Sequence, residues 1–217
     1  HRQEQENKRE GTGRACGTSP GFRYGVLSMP RFTVVYDACV LYPAPLRDFL
    51  MQLAISDLFR ACWTEDIHEE WMRNVRTNRP DLSEKQLQRT RELMDRHSLD
   101  ALVTGYQELI ESLSLPDPDD RHVFAAAIRA GASTIVTYNL SDFPAAELVK
   151  YNIEALHPDD FILHQIHLSE SKVLQAARTH RARLKNPPKS VEEYLATLEA
   201  QSLPQTALFL RQYSDFL

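Results

Sequence analysis

An α/β fold built on a central parallel sheet is the expectation for this sequence, and three observations predict it. A β-branched run at 32–36 ends at Asp37. A second such run, "STIVTYN", follows an alanine-rich helix that stops at Gly131. Between and beyond them, amphipathic helical stretches alternate with short strand-like pieces, the pattern of a parallel sheet covered on both faces.

The elements follow in order. Residues 1–30 hold five of the seven glycines and no helical or strand period, and are expected to be a disordered or non-native N-terminal extension. The run at 32–36 is continuously apolar, as suits a strand buried on both faces. In "APLRDFLMQLAISDLFRACW", Leu46, Phe49, Leu50, Leu53, Ala54 and Leu58 recur at three and four, which predicts a helix opened near Pro45. A second helix starts at the cap Thr64, carries Ile67, Trp71 and Val75 on one face, and ends at Pro80. Ser83 begins a third, more polar helix. Residues 99–115 read as one helical turn followed by an extended piece at 109–113. From 120 the pattern sharpens: a helix to 130, a strand at 134–137, a turn and short helix, the strand "IEALHP", and the helices "PDDFILHQIHL" and "SESKVLQAARTHRARLKN". After the linker "NPPKS" come two further helices. The expected organisation is an extension at 1–30, an α/β domain at 31–168 and a C-terminal helical extension at 169–217.

Bulk properties narrow the function. With 217 residues, 42% hydrophobic and 25% charged, the chain suits one ordinary domain with an appendage. No apolar run reaches the roughly 18 residues that span a membrane, and no apolar segment follows the basic start, so neither a membrane partner nor a secretory leader is expected. Cys16, Cys39 and Cys62 form no CxxC pair, which argues against zinc and for reduced thiols in the cytoplasm. A net charge of −5 disfavours non-specific coating of nucleic acid, so any such contact must be local.

The acids cluster at strand ends, where ligands bind in open parallel sheets. Asp37 follows the first strand; Asn139 and Asp142 follow "STIVTYN"; Asp120 opens the helix before it; Glu70 borders the apolar face of the second helix. Each has an ordinary reading alone, Asp120 as a helix cap and Asp142 as a turn residue. Together they would repel, by about 4 kcal/mol for a pair about 4 Å apart at an effective dielectric of 20, unless protonated or bridged by a cation. Oxygen-only ligands favour Mg²⁺ or Mn²⁺, whose chemistry suits phosphodiester hydrolysis.

The stretches "VVYDACVLYP", "TEDIHEEWMRNV" and "DPDDRHVFAAAIRAGASTIVTYNLSDFP" resemble the PIN-domain family, in particular its VapC-type bacterial toxin ribonucleases. The resemblance implies a three-layer α/β/α sandwich and Mg²⁺- or Mn²⁺-dependent cleavage of RNA. It implies that Asp37, Glu70, Asp120 and Asp142 hold the metal, with Thr137 orienting the first acid. Asn139 shares the fourth acidic segment and Asp117 stands beside the third acid, both as supporting positions; Asp119 is expected to be a solvated cap. The Asn or Ser usual two residues after the first acid is Cys39 here. Arg73, Arg76, Arg121 and Arg129 flank the acids and are candidates for RNA phosphates, while "RTHRARLK" reads equally as a solvated helix face. The implied partners are RNA and an antitoxin protein; the last helices could dock that partner, form a homodimer or cover the groove. The rival from another class is a non-catalytic PIN-like module that binds RNA or protein. A receiver domain lacks its adjacent acids and its lysine, a dehalogenase-type phosphatase lacks its second Asp at Cys39, and a DNA substrate stays open.

Overall fold

The computed structural model describes residues 31–98 and 100–217; the expectation for 1–30, Cys16 included, lies outside the described residues. Four parallel strands form the sheet: β1 (Thr33–Tyr36), β2 (Arg60–Cys62), β3 (Thr134–Val136) and β4 (Glu154–Leu156). Their order is β2-β1-β3-β4. Val34 pairs with Ala61 on one side and Thr134 on the other, and Tyr36 with Val136. All four residues of β1 are buried, so helices cover both faces of the sheet, as its unbroken apolar run requires.

The helices are α1 (Ala38–Leu41), α2 (Ala44–Ile55), α3 (Glu65–Asn78), α4 (Glu84–His97), α5 (Gln107–Ile110), α6 (Arg121–Ala130), α7 (Ala145–Leu148), α8 (Pro158–Leu168), α9 (Glu170–Arg183), α10 (Val191–Ala200) and α11 (Pro204–Arg211). Their ends follow local chemistry. The Thr64 hydroxyl accepts the Ile67 N–H at 3.1 Å and starts α3. Ser83 and Gln86 form a reciprocal capping box on α4. Gly131 closes α6 at φ 62°, a left-handed turn that glycine adopts at little cost. α6 packs on β1 and β3, and α9 runs along α2.

Two expectations need correction. The helix expected to include Leu58 ends at Ile55; Asp57 turns at φ 63° and the next residues form β2. The apolar spacing hid this strand, which exists only through its pairing with β1. In the 99–115 region the single helical turn is α5, but the extended contact lies before it, where Leu102 bridges Trp63, and not at 109–113.

The C-terminal helices are fastened by buried polar groups. Asp159, 2% exposed, accepts the N–H groups of Gln205 and Thr206 and the Thr206 hydroxyl, which pins the start of α11 to α8. Arg181 donates to the carbonyls of Lys189 and Leu217, so the basic run "RTHRARLK" is partly spent on holding the chain end. Among the described residues no helix is long and apolar enough to cross a membrane.

Candidate functional site

Because β1 and β3 are neighbours in a parallel sheet, the residues that follow them emerge side by side. Asp37 is the first residue past β1 and is 2% exposed. Its N–H donates to the Val136 carbonyl at 3.1 Å, which continues the ladder by one step. Its Oδ2 accepts the Thr137 hydroxyl at 2.6 Å and the Cys39 thiol at 3.0 Å. The Thr137 oxygen in turn accepts the Asn139 N–H at 2.9 Å, and the Cys39 sulfur accepts the Tyr138 N–H at 3.3 Å. Burial raises the pKa of Asp37, the two hydrogen bonds oppose that, and Glu70 adds to it. Burial and the neighbouring Asp37 push the Cys39 thiol up as well, so it stays protonated and donates. Cys39 therefore supplies the polar contact that an Asn or Ser at its position would be expected to make.

Glu70 is half-buried on α3, whereas Glu69 is exposed. A buried relay sets the rotation of this helix. Trp71 Nε1 donates to His68 Nδ1 at 2.9 Å, which leaves the proton on His68 Nε2, 3.0 Å from Asp95 Oδ1; Trp63 Nε1 donates to the same oxygen at 2.8 Å. Burial lowers the His68 pKa and keeps the ring neutral. Across the site, His122 on α6 brings Nε2 to 3.3 Å from Glu70 Oε2. Burial alone would lower the His122 pKa, but interaction with Glu70 outweighs it and the net shift is upward.

Asp120 stands at the junction of a 3₁₀ turn, Pro118–Asp120, and α6. It makes no side-chain capping bond. The local cap is Asp117, whose side chain accepts the Asp119 N–H at 2.9 Å; Asp119, expected to be the cap, is exposed and does not fill that role. The Asp120 pKa is pushed up to about 7, first by burial and then by the charges of Asp37, Asp117, Asp142 and Glu70. The other three proposed acids are thus all within electrostatic reach of Asp120. Asp142 ends a 3₁₀ turn, Leu140–Asp142, and is half-buried; Asn139 is exposed.

Sequence reasoning passed over His122, and no local signal marks it: its role comes from α3 lying across α6. The candidate RNA contacts disperse. Arg73 is exposed one turn beyond Glu70 and Arg121 adjoins Asp120, with a buried Nε that has no partner among the described residues. Arg76 is tied to Glu84 at 2.7 Å. Arg129 sits in the last turn of α6, roughly 13 Å along the axis from Asp120, beside Gly105. Arg76 and Arg129 are therefore not gathered at the acids.

The donor set is one of carboxylate oxygens, which fits Mg²⁺ or Mn²⁺. Among the described residues no three His, Cys, Asp or Glu side chains already form a coordination group. Mg²⁺ does not need such a cage, because it keeps several waters and commonly takes one or two carboxylates. The upward shift of Asp120 comes first from burial and then from the neighbouring acids, whose negative charge a divalent cation would offset.

A family model described as "PIN domain" matches residues 33–141, half of the chain. The chain belongs to the PIN-domain family. A second model, the "VapC50 C-terminal domain", matches residues 158–212. A stretch of 70 residues is 50% identical to "Putative ribonuclease VapC50" of Mycobacterium tuberculosis (strain ATCC 25618 / H37Rv), covering 32% of this chain and 41% of that relative. The match thus spans less than half the length of this relative. No solved structure matches.

Proposed function

We propose that this PIN-domain protein is a metal-dependent endoribonuclease, the toxin of a toxin–antitoxin pair, hydrolysing RNA phosphodiester bonds. The observation that carries the proposal is the buried Asp37 carboxylate, gripped on one oxygen by Thr137 and Cys39, beside an Asp120 that burial and then the charges of Asp37, Asp117, Asp142 and Glu70 push up to about 7. The name of the VapC50 relative supports the same reading.

In this proposal Asp37, Glu70, Asp120 and Asp142 hold Mg²⁺ or Mn²⁺. The cation supplies water activation and neutralisation of phosphoryl charge. Thr137 and Cys39 fix Asp37 so that Oδ1, which receives no side-chain hydrogen bond, is available as a ligand. One of these carboxylates would take the proton of the attacking water. His122 restrains Glu70 from the opposite helix. Arg73 and Arg121 receive the RNA phosphates next to the acids. Asn139 and Asp117 support the turns that carry the ligands. The acids belong to a unit at 31–168, with 169–217 as a helical extension. The partner is an antitoxin protein, and the free thiols Cys39 and Cys62 suit a cytoplasmic setting.

The test is cleavage of structured RNAs and single-stranded DNA by the full chain and by Asp120→Asn, with Mg²⁺, Mn²⁺ or EDTA. Cleavage of RNA that needs metal and disappears in the variant is expected. Activity that survives EDTA or the substitution would sink the metal mechanism. The absence of a preformed three-acid group among the described residues favours one second reading, a non-catalytic binding module. RNA binding without cleavage of any substrate would establish it.

A further inference from the structure

Just past β3 the chain leaves the sheet. The Thr137 N–H still donates to the Leu156 carbonyl at 3.0 Å, as in the ladder. The next two N–H groups turn to side chains, Tyr138 to the Cys39 sulfur at 3.3 Å and Asn139 to Thr137 Oγ1 at 2.9 Å. The Asp142 N–H then donates to the Asn139 carbonyl at 3.0 Å. Residue 138 thus touches both groups that bond Asp37 Oδ2: Thr137 is its neighbour and Cys39 its acceptor. A thiol sulfur is a weak acceptor, so the backbone alone holds this residue loosely.

Its side chain supplies the stronger hold. The Tyr138 hydroxyl donates to the Gln201 carbonyl at 2.7 Å, good geometry for an O–H donor. Its ring meets His157 edge-on, with centroids 5.2 Å apart. His157 Nδ1 accepts the Asp159 N–H at 3.2 Å, and the Asp159 carboxylate pins the start of α11. Both supports of the tyrosine are therefore tied to the last two helices.

The acceptor is preset by the end of α10. Leu203 N–H donates to the Leu198 carbonyl at 3.1 Å and Ser202 N–H to the Glu199 carbonyl at 2.9 Å, with Ser202 at φ 58°. Residues with a side chain take that conformation uncommonly. This closure uses the carbonyls of Leu198 and Glu199 within the turn and leaves that of Gln201 to Tyr138.

We propose that Tyr138 is a positioning residue through which the C-terminal extension holds the loop at 137–142, and with it the Thr137 and Cys39 contacts to Asp37 and the turn that carries Asp142. It rests on the reading of these acids as a metal site, whereas amide exchange tests the loop without metal. The full-length wild type is compared with Tyr138→Phe and with p-aminophenylalanine in place of Tyr138, whose amine restores a donor. Arg181→Gln is the control: it frees the carbonyls of Lys189 and Leu217 but leaves the loop tether intact. Mn²⁺ binding is read by electron paramagnetic resonance, and hydrogen exchange of the amides is read in metal-free protein. In Tyr138→Phe the amides of 138 and 139 are expected to exchange about tenfold or more faster, and Mn²⁺ to bind about fivefold or more weaker. The aminated side chain should restore both, and Arg181→Gln should change neither. In the wild type the two loop amides should open together with α10 as one unit; should Tyr138→Phe fail to fold, this alone decides. The proposal is overturned if the loop opens independently of α10, if Tyr138→Phe exchanges like the wild type, if faster exchange leaves Mn²⁺ affinity unchanged, or if Arg181→Gln weakens Mn²⁺ equally. A wild-type chain that binds no Mn²⁺ overturns the metal reading instead, and the exchange results then decide the tether.

Discussion

Asp37 Oδ2 takes hydrogen bonds from a hydroxyl and a thiol that come from opposite sides of the β1–β3 pair. Thr137→Val removes the stronger of them and is expected to destabilise the fold by about 1–3 kcal/mol, because a buried carboxylate loses its best donor, and to lower RNA cleavage. Cys39→Ser should keep both properties near wild type, whereas Cys39→Ala should lose part of each; urea melts alongside a cleavage assay distinguish them. Asp120 makes a pH prediction. Its folded pKa of about 7 lies above the ordinary carboxyl value of 3.8, so the folded state binds the extra proton between these values. Stability attributable to Asp120 is therefore lost as pH rises from about 4 to 7. Mg²⁺ or Mn²⁺ should raise the Tm more at pH 8 than at pH 5. Asp120→Asn should raise the metal-free Tm at pH 8 by about 2–4 °C while lowering cleavage by about 10²-fold or more; no change in either measurement would contradict the reading. Asp37, Glu70 and Asp120 could be picked out as candidates in the sequence because they sit at a strand end, an amphipathic boundary and a helix start. The donor role of Cys39 could not, since it depends on a fold that closes 98 residues between Cys39 and Thr137.

At the scale of elements, α3 is the one whose rotation matters, since it aims Glu70 inward and Glu69 outward. Its register rests on Asp95, which accepts from both Trp63 and His68. Asp95→Ala strands two donors and is expected to cost about 1–3 kcal/mol. Cleavage should fall with it although Asp95 is none of the proposed metal ligands, and a melt paired with a rate measurement checks this. The apolar stripe of α3 was readable by its spacing, as were the caps at Thr64 and Ser83. β2 was not, because its three residues continue the apolar rhythm of α2 and become a strand only when Val34 offers a partner to Ala61.

For the whole molecule, alternation predicted a parallel sheet, but alternation cannot rank strands. The order β2-β1-β3-β4 is what puts Asp37 next to Thr137. The folded molecule also carries a buried titratable group far from the acids. His180 has a folded pKa of about 4, below the ordinary imidazole value of 6.5, so protonation favours the unfolded chain. The resulting loss of stability begins as pH falls through about 6.5 and is complete below about 4, with a ceiling of about 3 kcal/mol. Asp120 acts in the opposite sense over an overlapping range, so the measurement belongs in Asp120→Asn protein, where urea midpoints should fall steadily with acidification and do so less in the double variant with His180→Phe.

The Tyr138 hydroxyl donates to the carbonyl of Gln201 at 2.7 Å, while its N–H holds the Cys39 sulfur. One residue of the strand-end loop is thereby anchored to a segment made 63 residues later. During synthesis the acids leave the ribosome long before that anchor exists. If the proposed function holds, the candidate site of this protein is completed only once the segment around Gln201 has been made. Chains arrested at residue 186 are expected to cleave RNA more slowly than full-length chains, a difference that a ribosome-bound cleavage assay would measure directly.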